Sequence, residues 1–347
     1  MPTKQVWRAG DVAQGPAAWF GENLQDQKEQ WAIQFTDQDV AEIETSLSRL
    51  KSSGAKTLSD MGDDPAAFPL NGLSEQFARA RSELKDGVGF FLFRGLPVER
   101  YDLDDAGMIF RGIASHIGAC VSQNYRGELV GQVIDRSDEI ADPRRYEAGG
   151  EFRMHVDPID IVALMCMRKA KQGGESQVVS ALAVHNVLLE ERPDLASVLY
   201  EGYRLFRPYP DRGDTEPLTS RKVPFFAPDE GGEFAAYFLP DPAIQALERE
   251  SVHLTELEHE ALNYAESVAA RPGLVLNMDL LPGDIQFLNN RKILHSRAGY
   301  EDFEEKERRR LMLRMWLMVK DWPSLSPEQR FFDQSHKFGG GILPQAH

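Results

Sequence analysis

Cysteine is scarce in this sequence: Cys120 and Cys166 stand alone among 347 residues. Two thiols supply neither a disulfide framework nor a CxxC metal motif, so a reducing cytoplasm is the expected compartment. Cys166 lies in an apolar run and reads as a small core residue. Long apolar stretches are missing as well. None approaches the length that spans a bilayer, and Met1 to Trp7 carry no apolar segment of a secretory signal. Positive charge is in deficit, with 39 Lys and Arg against 55 Asp and Glu and a net charge of −16. That balance argues against nonspecific binding to nucleic acid or to an anionic membrane. It says nothing against an anionic small molecule, because the charge lining a pocket is local. There is no GxGxxG, no P-loop, no internal repeat and no low-complexity tract, which removes the common nucleotide-binding devices.

What is present divides into three stretches. Residues 1–35 hold Trp7, Trp19, Phe20 and Trp31 and read as an arm that packs on the body or on a neighbouring subunit, so a homo-oligomer is anticipated. Residues 36–320 read as a single domain, and 321–347 as a tail with His336 in a loop. Thr36-Asp-Gln-Asp39 is a capping box, and Val40, Ile43, Leu47 and Leu50 follow at helical spacing until Gly54. Further helices are predicted over 73–85 and 103–117, with a buried strand over 88–94 between them. His116, on the third helix, reads as a satisfied histidine. Beyond residue 119 the texture changes to short strands and long loops. Strands are predicted over 129–134, 159–167, 177–180, 203–210, 222–226, 234–239, 273–277, 284–288 and 309–319. Helices are predicted over 182–191, from Pro193, and from the capping box Thr255-Glu-Leu-Glu258 to about 271, with His185 as a polar surface or capping group and His259 exposed. The polar loop over 136–150 reads as a lid, and loops over 122–150 and 205–222 as the places where a substrate is contacted. A helical first third followed by many short strands predicts a mixed α+β protein with a mainly β core, a sandwich or jelly roll with helices packed outside. Strict βα alternation is absent, which excludes a doubly wound parallel sheet.

Two stretches carry chemistry. In Glu151-Phe-Arg-Met-His155-Val156-Asp157-Pro158 an imidazole and a carboxylate stand two residues apart, and on an extended strand both face the same way. They can share one metal ion, and His295 is the candidate third ligand. It follows Pro282-Gly-Asp-Ile-Gln-Phe-Leu-Asn-Asn290-Arg-Lys-Ile-Leu, in which a tight turn feeds a strand and two Asn mark another turn. Further on, period two places Arg310, Met312, Arg314 and Trp316 on one face of a strand whose other face is Leu311, Leu313, Met315 and Leu317. Arginines on an inward face cost several kcal/mol each if left unpaired, so they are expected to meet anions. The planar fork of Arg suits a carboxylate.

Together these elements resemble the taurine dioxygenase/TfdA-like iron(II)- and 2-oxoglutarate-dependent dioxygenases, over roughly residues 85–320. The resemblance rests on His155-x-Asp157, the Gly173-Gly-Glu-Ser176 turn, the segment before His295, and the Arg310/Arg314 pair. It implies a double-stranded β-helix. It implies that His155, Asp157 and His295 form a facial triad on Fe(II), and that 2-oxoglutarate and O2 occupy the remaining positions. Arg310 matches the arginine that clamps the distal carboxylate of 2-oxoglutarate, and Ser176 a position, usually Thr, whose hydroxyl contacts the same group. Arg314 matches a position that contacts 2-oxoglutarate or an anionic substrate group. Val156 departs from the common Thr or Ser, at a position that is not a ligand. The implied reaction converts 2-oxoglutarate to succinate and CO2 while oxidising, by hydroxylation, an unactivated C–H bond of a small and plausibly anionic substrate. Asp157 favours hydroxylation over halogenation, since related halogenases carry a small residue there; desaturation or ring formation would use the same triad. Two other readings compete. A cupin-like Zn or Mn isomerase or hydrolase would share the metal ligands but would not need Arg310, and a non-catalytic jelly-roll binder would not need an intact triad.

Overall fold

The computed structural model describes residues 6–55, 57–139, 149–207, 216–329 and 341–342. The middle of the anticipated lid (140–148), part of the second polar loop (208–215) and His336 lie outside the described residues. The strands are β1 (Ala32–Gln34), β2 (Phe90–Arg94), β3 (Ala119–Val121), β4 (Val130–Val133), β5 (Phe152–His155), β6 (Ile161–Arg168), β7 (Gln172–Gly173) and β8 (Ser176–Ser180). They continue with β9 (Phe226–Pro228), β10 (Phe234–Ala236), β11 (Leu276–Met278), β12 (Ile285–Asn289), β13 (Ile293–Arg297), β14 (Tyr300–Glu301) and β15 (Leu311–Met318). The first sheet runs in the order β1-β2-β12-β6-β15-β3, with β4 also on β15; the second runs β11-β8-β13-β5. All these pairs are antiparallel except β1 with β2.

Helices cover the outer faces. α1 (Gly21–Leu24) and α2 (Lys28–Trp31) are single turns, and α3 (Asp37–Ser52), α4 (Ser74–Lys85) and α5 (Leu103–Ser115) follow. Later come α6 (Ala181–Glu191), α7 (Pro193–Glu201), α8 (Pro240–Glu250) and α9 (Glu256–Ala269). Both capping boxes form: the side chains of Thr36 and Thr255 accept from the N–H groups of Asp39 and Glu258 at the starts of α3 and α9.

Strand β6 shows how period two builds the layers. Ile161, Ala163 and Met165 join one apolar cluster with Phe91, Phe93 and Phe287 and with the buried faces of α3, α4 and α5. Val162 and Cys166 point the other way, into a cluster shared with Phe90, Leu288 and Trp316 of the same sheet and with Val178, Ile293 and Leu276 of the second. A third cluster lies behind the second sheet, where Met154, Val179 and Leu294 pack against α6, α7 and α9. The order is therefore helices, first sheet, second sheet, helices, with each β residue committed to one interior by its parity. The turn before β12 depends on glycine. Gly283 has φ of 90° and faces the Leu96 carbonyl so closely that a Cβ would lie 1.8 Å from its oxygen.

The chain is a mixed α/β protein with the sheets and helices anticipated, and local details differ. Of the strands expected over 203–210 and 222–226, residues 208–210 lie outside the described residues; the rest holds isolated bridges, Tyr203 with Val223 and Phe206 with Leu218, and Phe226 opens β9. The strand expected over 234–239 ends at Ala236, and Pro240 opens a helix, α8, with proline in its first turn where no N–H is required. Trp7, Trp19 and Trp31 are buried within their own chain, so their burial does not call on a second copy. His116 behaves as expected, stacked on Phe77 with its Nε2 2.9 Å from the Phe68 carbonyl oxygen.

His185 does not sit on the surface. It is fully buried among Trp7, Phe226 and Phe234, with Nε2 2.8 Å from the Tyr200 hydroxyl and Nδ1 3.2 Å from Asn186 Oδ1. The apolar face it occupies comes from segments far away in sequence. Burial pulls its pKa from 6.5 down to about 4, against the opposing effect of its hydrogen bond to the Asn186 side-chain oxygen. Below about pH 6.5 the unfolded chain binds a proton that the folded chain refuses, so stability falls with pH until about 4, by roughly 1.4 kcal/mol per unit at most. His185→Gln should flatten the urea-midpoint profile between pH 7 and 5 by that amount. Parallel profiles for the two proteins would show that His185 titrates normally.

Candidate active site

Strand register assembles the site. In the antiparallel pair β5–β13, His155 lies directly opposite His295. Facing side chains on such strands are nearest neighbours, and the two imidazole rings stand 4.3 Å apart between centroids. Asp157 falls just past the end of β5 and is fixed from outside the strand. Its N–H donates to Asn290 Oδ1 (3.0 Å), and its Oδ2 accepts from the indole N–H of Trp316 (2.9 Å). One donor atom from each of His155, Asp157 and His295 lies within 4.8 Å of the others.

Each donor is held in a ligating form. His155 Nδ1 is 2.8 Å from the Arg153 carbonyl oxygen, which can only accept, so Nδ1 carries the proton and Nε2 keeps a lone pair. Burial lowers the pKa of both histidines; that of His295 falls to about 3, with the charge of His155 adding to the effect. Burial works to raise the Asp157 carboxyl, but the Arg314 guanidinium, then His295 and His155, outweigh it and leave the group below the usual carboxylate range. Neutral imidazoles and an ionised carboxylate are the states that bind a divalent metal. His295 Nδ1 is buried and has no hydrogen-bond partner among the described residues. Two nitrogens and one oxygen, with no thiolate, suit non-heme Fe(II) rather than a closed structural zinc site.

The cavity beside these donors is lined by Val133, Val162, Leu164, Leu280 and Met312, and by Ser176, Arg297, Arg310 and Arg314. Arg310 precedes β15 and is 7% exposed. Its backbone N–H donates to both Asp302 oxygens (2.9 and 3.0 Å), while its Nη1 is buried with no partner among the described residues. A buried unpaired guanidinium N–H is costly, and a bound anion removes the cost. The Gly173-Gly174 turn makes the room: Gly174 has φ of 78°, and a Cβ there would lie 3.2 Å from Arg310 Nε. Ser176 lines the same cavity and donates its hydroxyl proton to Gln286 Oε1 (3.0 Å). Arg314 donates from Nε to Gln123 Oε1 (2.7 Å) and brings Nη1 to 3.9 Å from Asp157 Oδ1. All six residues singled out in the sequence border one cavity. Sequence reasoning missed the groups behind them, Trp316, Asn290, Gln123 and Arg297. Only Asn290 and Trp316 left a trace, as a turn residue and as an aromatic sharing the face of Arg314.

Residues 55–316 match the family model of the taurine catabolism dioxygenase TauD, TfdA family. The chain belongs to this family. It is 30% identical over 315 residues to FR-33289 synthase of Streptomyces rubellomurinus, covering 88% of this chain and 90% of that protein. It is 28% identical to the taurine hydroxylase-like protein SAT17 of Stachybotrys chartarum, covering 86% of this chain and 77% of that protein. Among solved structures it superposes on an asparagine oxygenase in complex with Fe(II), 2S,3S-3-hydroxyasparagine and succinate, at a TM-score of 0.66 and 16% identity, with 91% of this chain and all of that chain covered. It also superposes on the non-heme iron oxygenase OrfP bound to Fe and alpha-ketoglutaric acid, at a TM-score of 0.60 and 13% identity, covering 83% of this chain and 93% of that one. As a member of the family this chain is a 2-oxoglutarate-dependent non-heme iron dioxygenase, and it holds a His-Asp-His set fit for the metal. No helix among the described residues is long and apolar enough to cross a membrane.

Among the described residues, the indole of Trp316 is the side chain that donates a hydrogen bond to Asp157 Oδ2. Trp316→Phe should leave the fold intact and weaken Fe(II) affinity by about 10- to 100-fold. Anaerobic metal titration checks this; an unchanged affinity would show that the indole does not steer the carboxylate.

Proposed function

We propose that the enzyme hydroxylates an unactivated C–H bond of a small anionic substrate, with conversion of 2-oxoglutarate to succinate and CO2. The observation that carries this reading is the presence, in one cavity, of a three-donor metal cluster and a buried arginine with an unpartnered N–H. In this reading His155, Asp157 and His295 hold the iron, and the two facing sheets are the two halves of a double-stranded β-helix. Arg310 binds the distal carboxylate of 2-oxoglutarate, with the Ser176 hydroxyl beside it. When bound, the iron supplies the oxygen-activating chemistry that couples decarboxylation to C–H oxidation. The chain supplies neutral imidazoles, an oriented carboxylate, a guanidinium for the co-substrate and apolar walls that exclude water.

The anionic substrate follows from the charges on the lining. Three arginines, Arg297, Arg310 and Arg314, face a single carboxylate, Asp157. The charges of Fe(II) and a 2-oxoglutarate dianion cancel, so the arginines keep an excess of positive charge that favours an anion in the remaining space. Arg314, next to Asp157 and anchored by Gln123, is the side chain placed to meet it. Asp157 itself favours oxygenation over halogenation, because a carboxylate fills the position a halide would need.

A metal-dependent isomerase would use the same three donors and would have no anion for Arg310. Adding 2-oxoglutarate to the anaerobic Fe(II) protein should produce a weak visible charge-transfer band, absent in His155→Ala. In Arg310→Gln the 2-oxoglutarate concentration needed for half the signal should rise about 10- to 100-fold. A spectrum that 2-oxoglutarate does not change would end the dioxygenase reading of this site.

A further inference from the structure

Arg297 has entered so far only as one of the charges lining the cavity. It lies two residues beyond His295 on β13 and therefore on the same face. Its register partners are Ser176 on β8 and Phe152 on β5. It is 8% exposed and lines the cavity. Its Nε and Nη2 donate to the Gly150 carbonyl oxygen (3.2 and 2.8 Å). Its guanidinium packs on the Tyr300 ring at 4.8 Å, and that of Arg310 packs on the same ring at 5.6 Å. One aromatic ring thus gathers two buried guanidiniums of the cavity lining.

Like charges held together in a low-dielectric site repel, and something must offset the repulsion. Burial lowers the pKa of both arginines, and the charge of Arg297 lowers that of Arg310 further. The nearby carboxylates Asp135 and Asp302 offset part of this from outside the cavity, and both have other partners as well. Asp135 Oδ1 accepts from the N–H (2.9 Å) and hydroxyl (2.6 Å) of Ser137, and both Asp302 oxygens accept from the backbone N–H of Arg310. Neither carboxylate borders the cavity. Arg310 Nη1 is buried and has no partner among the described residues, an independent sign that an anion belongs there. Ser176, the hydroxyl expected to assist, gives its only proton to Gln286.

We infer that the distal carboxylate of 2-oxoglutarate is held by two guanidiniums, Arg297 and Arg310, gathered on Tyr300, so that Arg297 is a selectivity residue for the co-substrate. The inference rests on the 2-oxoglutarate reading above. A second guanidinium adds positive charge that favours a carboxylate, and it penalises a keto acid without the second carboxylate.

The test is an anaerobic titration of the full-length Fe(II) protein with 2-oxoglutarate and with 2-oxopentanoate, which has a methyl in place of the distal carboxylate. The charge-transfer band is the readout, so no prime substrate is needed. Arg297→Gln should weaken 2-oxoglutarate binding about 10- to 100-fold and leave 2-oxopentanoate within about twofold of wild type. Arg297→Lys, which keeps the charge and loses the fork, should fall between; it also serves if the Gln variant does not fold. Equal weakening of both keto acids would overturn the inference, since Arg297 would then act only through Gly150. No effect on either would also overturn it and would reserve Arg297 for the prime substrate. A wild-type protein that gives no band with 2-oxoglutarate would remove the underlying reading as well, which separates the two failures.

Discussion

The antiparallel pairing of β5 with β13 is the constraint on which this molecule depends. A slip of one residue would turn His155 or His295 to the opposite face of the sheet, into the cluster that contains Met154 and Leu294. Three separate features hold the register. β8 pairs with the other edge of β13, placing Val178 beside His295. The irregular spacing between His295 and Arg297 absorbs an extra residue of β5, so that Arg297 meets Phe152. Asn290, in the turn before β13, reaches back to the N–H of Asp157. The metal donors come from distant parts of the chain, but each is tied to the same pair of strands.

The second constraint is charge. The chain carries an excess of 16 negative charges, yet its cavity presents three arginines to one carboxylate. The charge lining a pocket is local and need not follow the net charge of the chain. Buried arginines in an apolar sandwich are costly unless they are paired or hydrogen-bonded. The glycine turn at 173–174 and the Tyr300 ring are shaped to receive Arg310.

What could be read from the sequence depended on how local each signal was. Period two in 309–319 placed Arg310, Arg314 and Trp316 on one face, and the structure agrees in that Arg310, Met312 and Arg314 line one cavity, although the pairing of β15 with β6 shifts register between Leu311 and Met312. His155-x-Asp157 was legible as a pair, although Asp157 lies past the end of the strand and owes its position to Trp316 and Asn290. His185 was misread as a surface group because its apolar surroundings come from Trp7, Phe226 and Phe234, and no local window contains them. Helix α8 was missed because Phe234 to Leu239 looks like a strand until Pro240, whose place in a first turn is compatible with either reading. Arg297 stood in plain view, but its meaning depends on Ser176 and Tyr300, brought near by pairings that periodicity does not specify.

The spacing along β15 separates the cavity residues that the strand and its first flank carry. Trp316 and Arg314 meet Asp157 at one end of the strand, and Arg310 lies four residues away at the other. Four residues of strand span about 13 Å between Cα atoms. The strand therefore fixes how far Arg310 stands from the residues that meet Asp157. Its apolar face, Leu313, Met315 and Leu317 locked among the aromatic residues of the first sheet, keeps the strand from sliding.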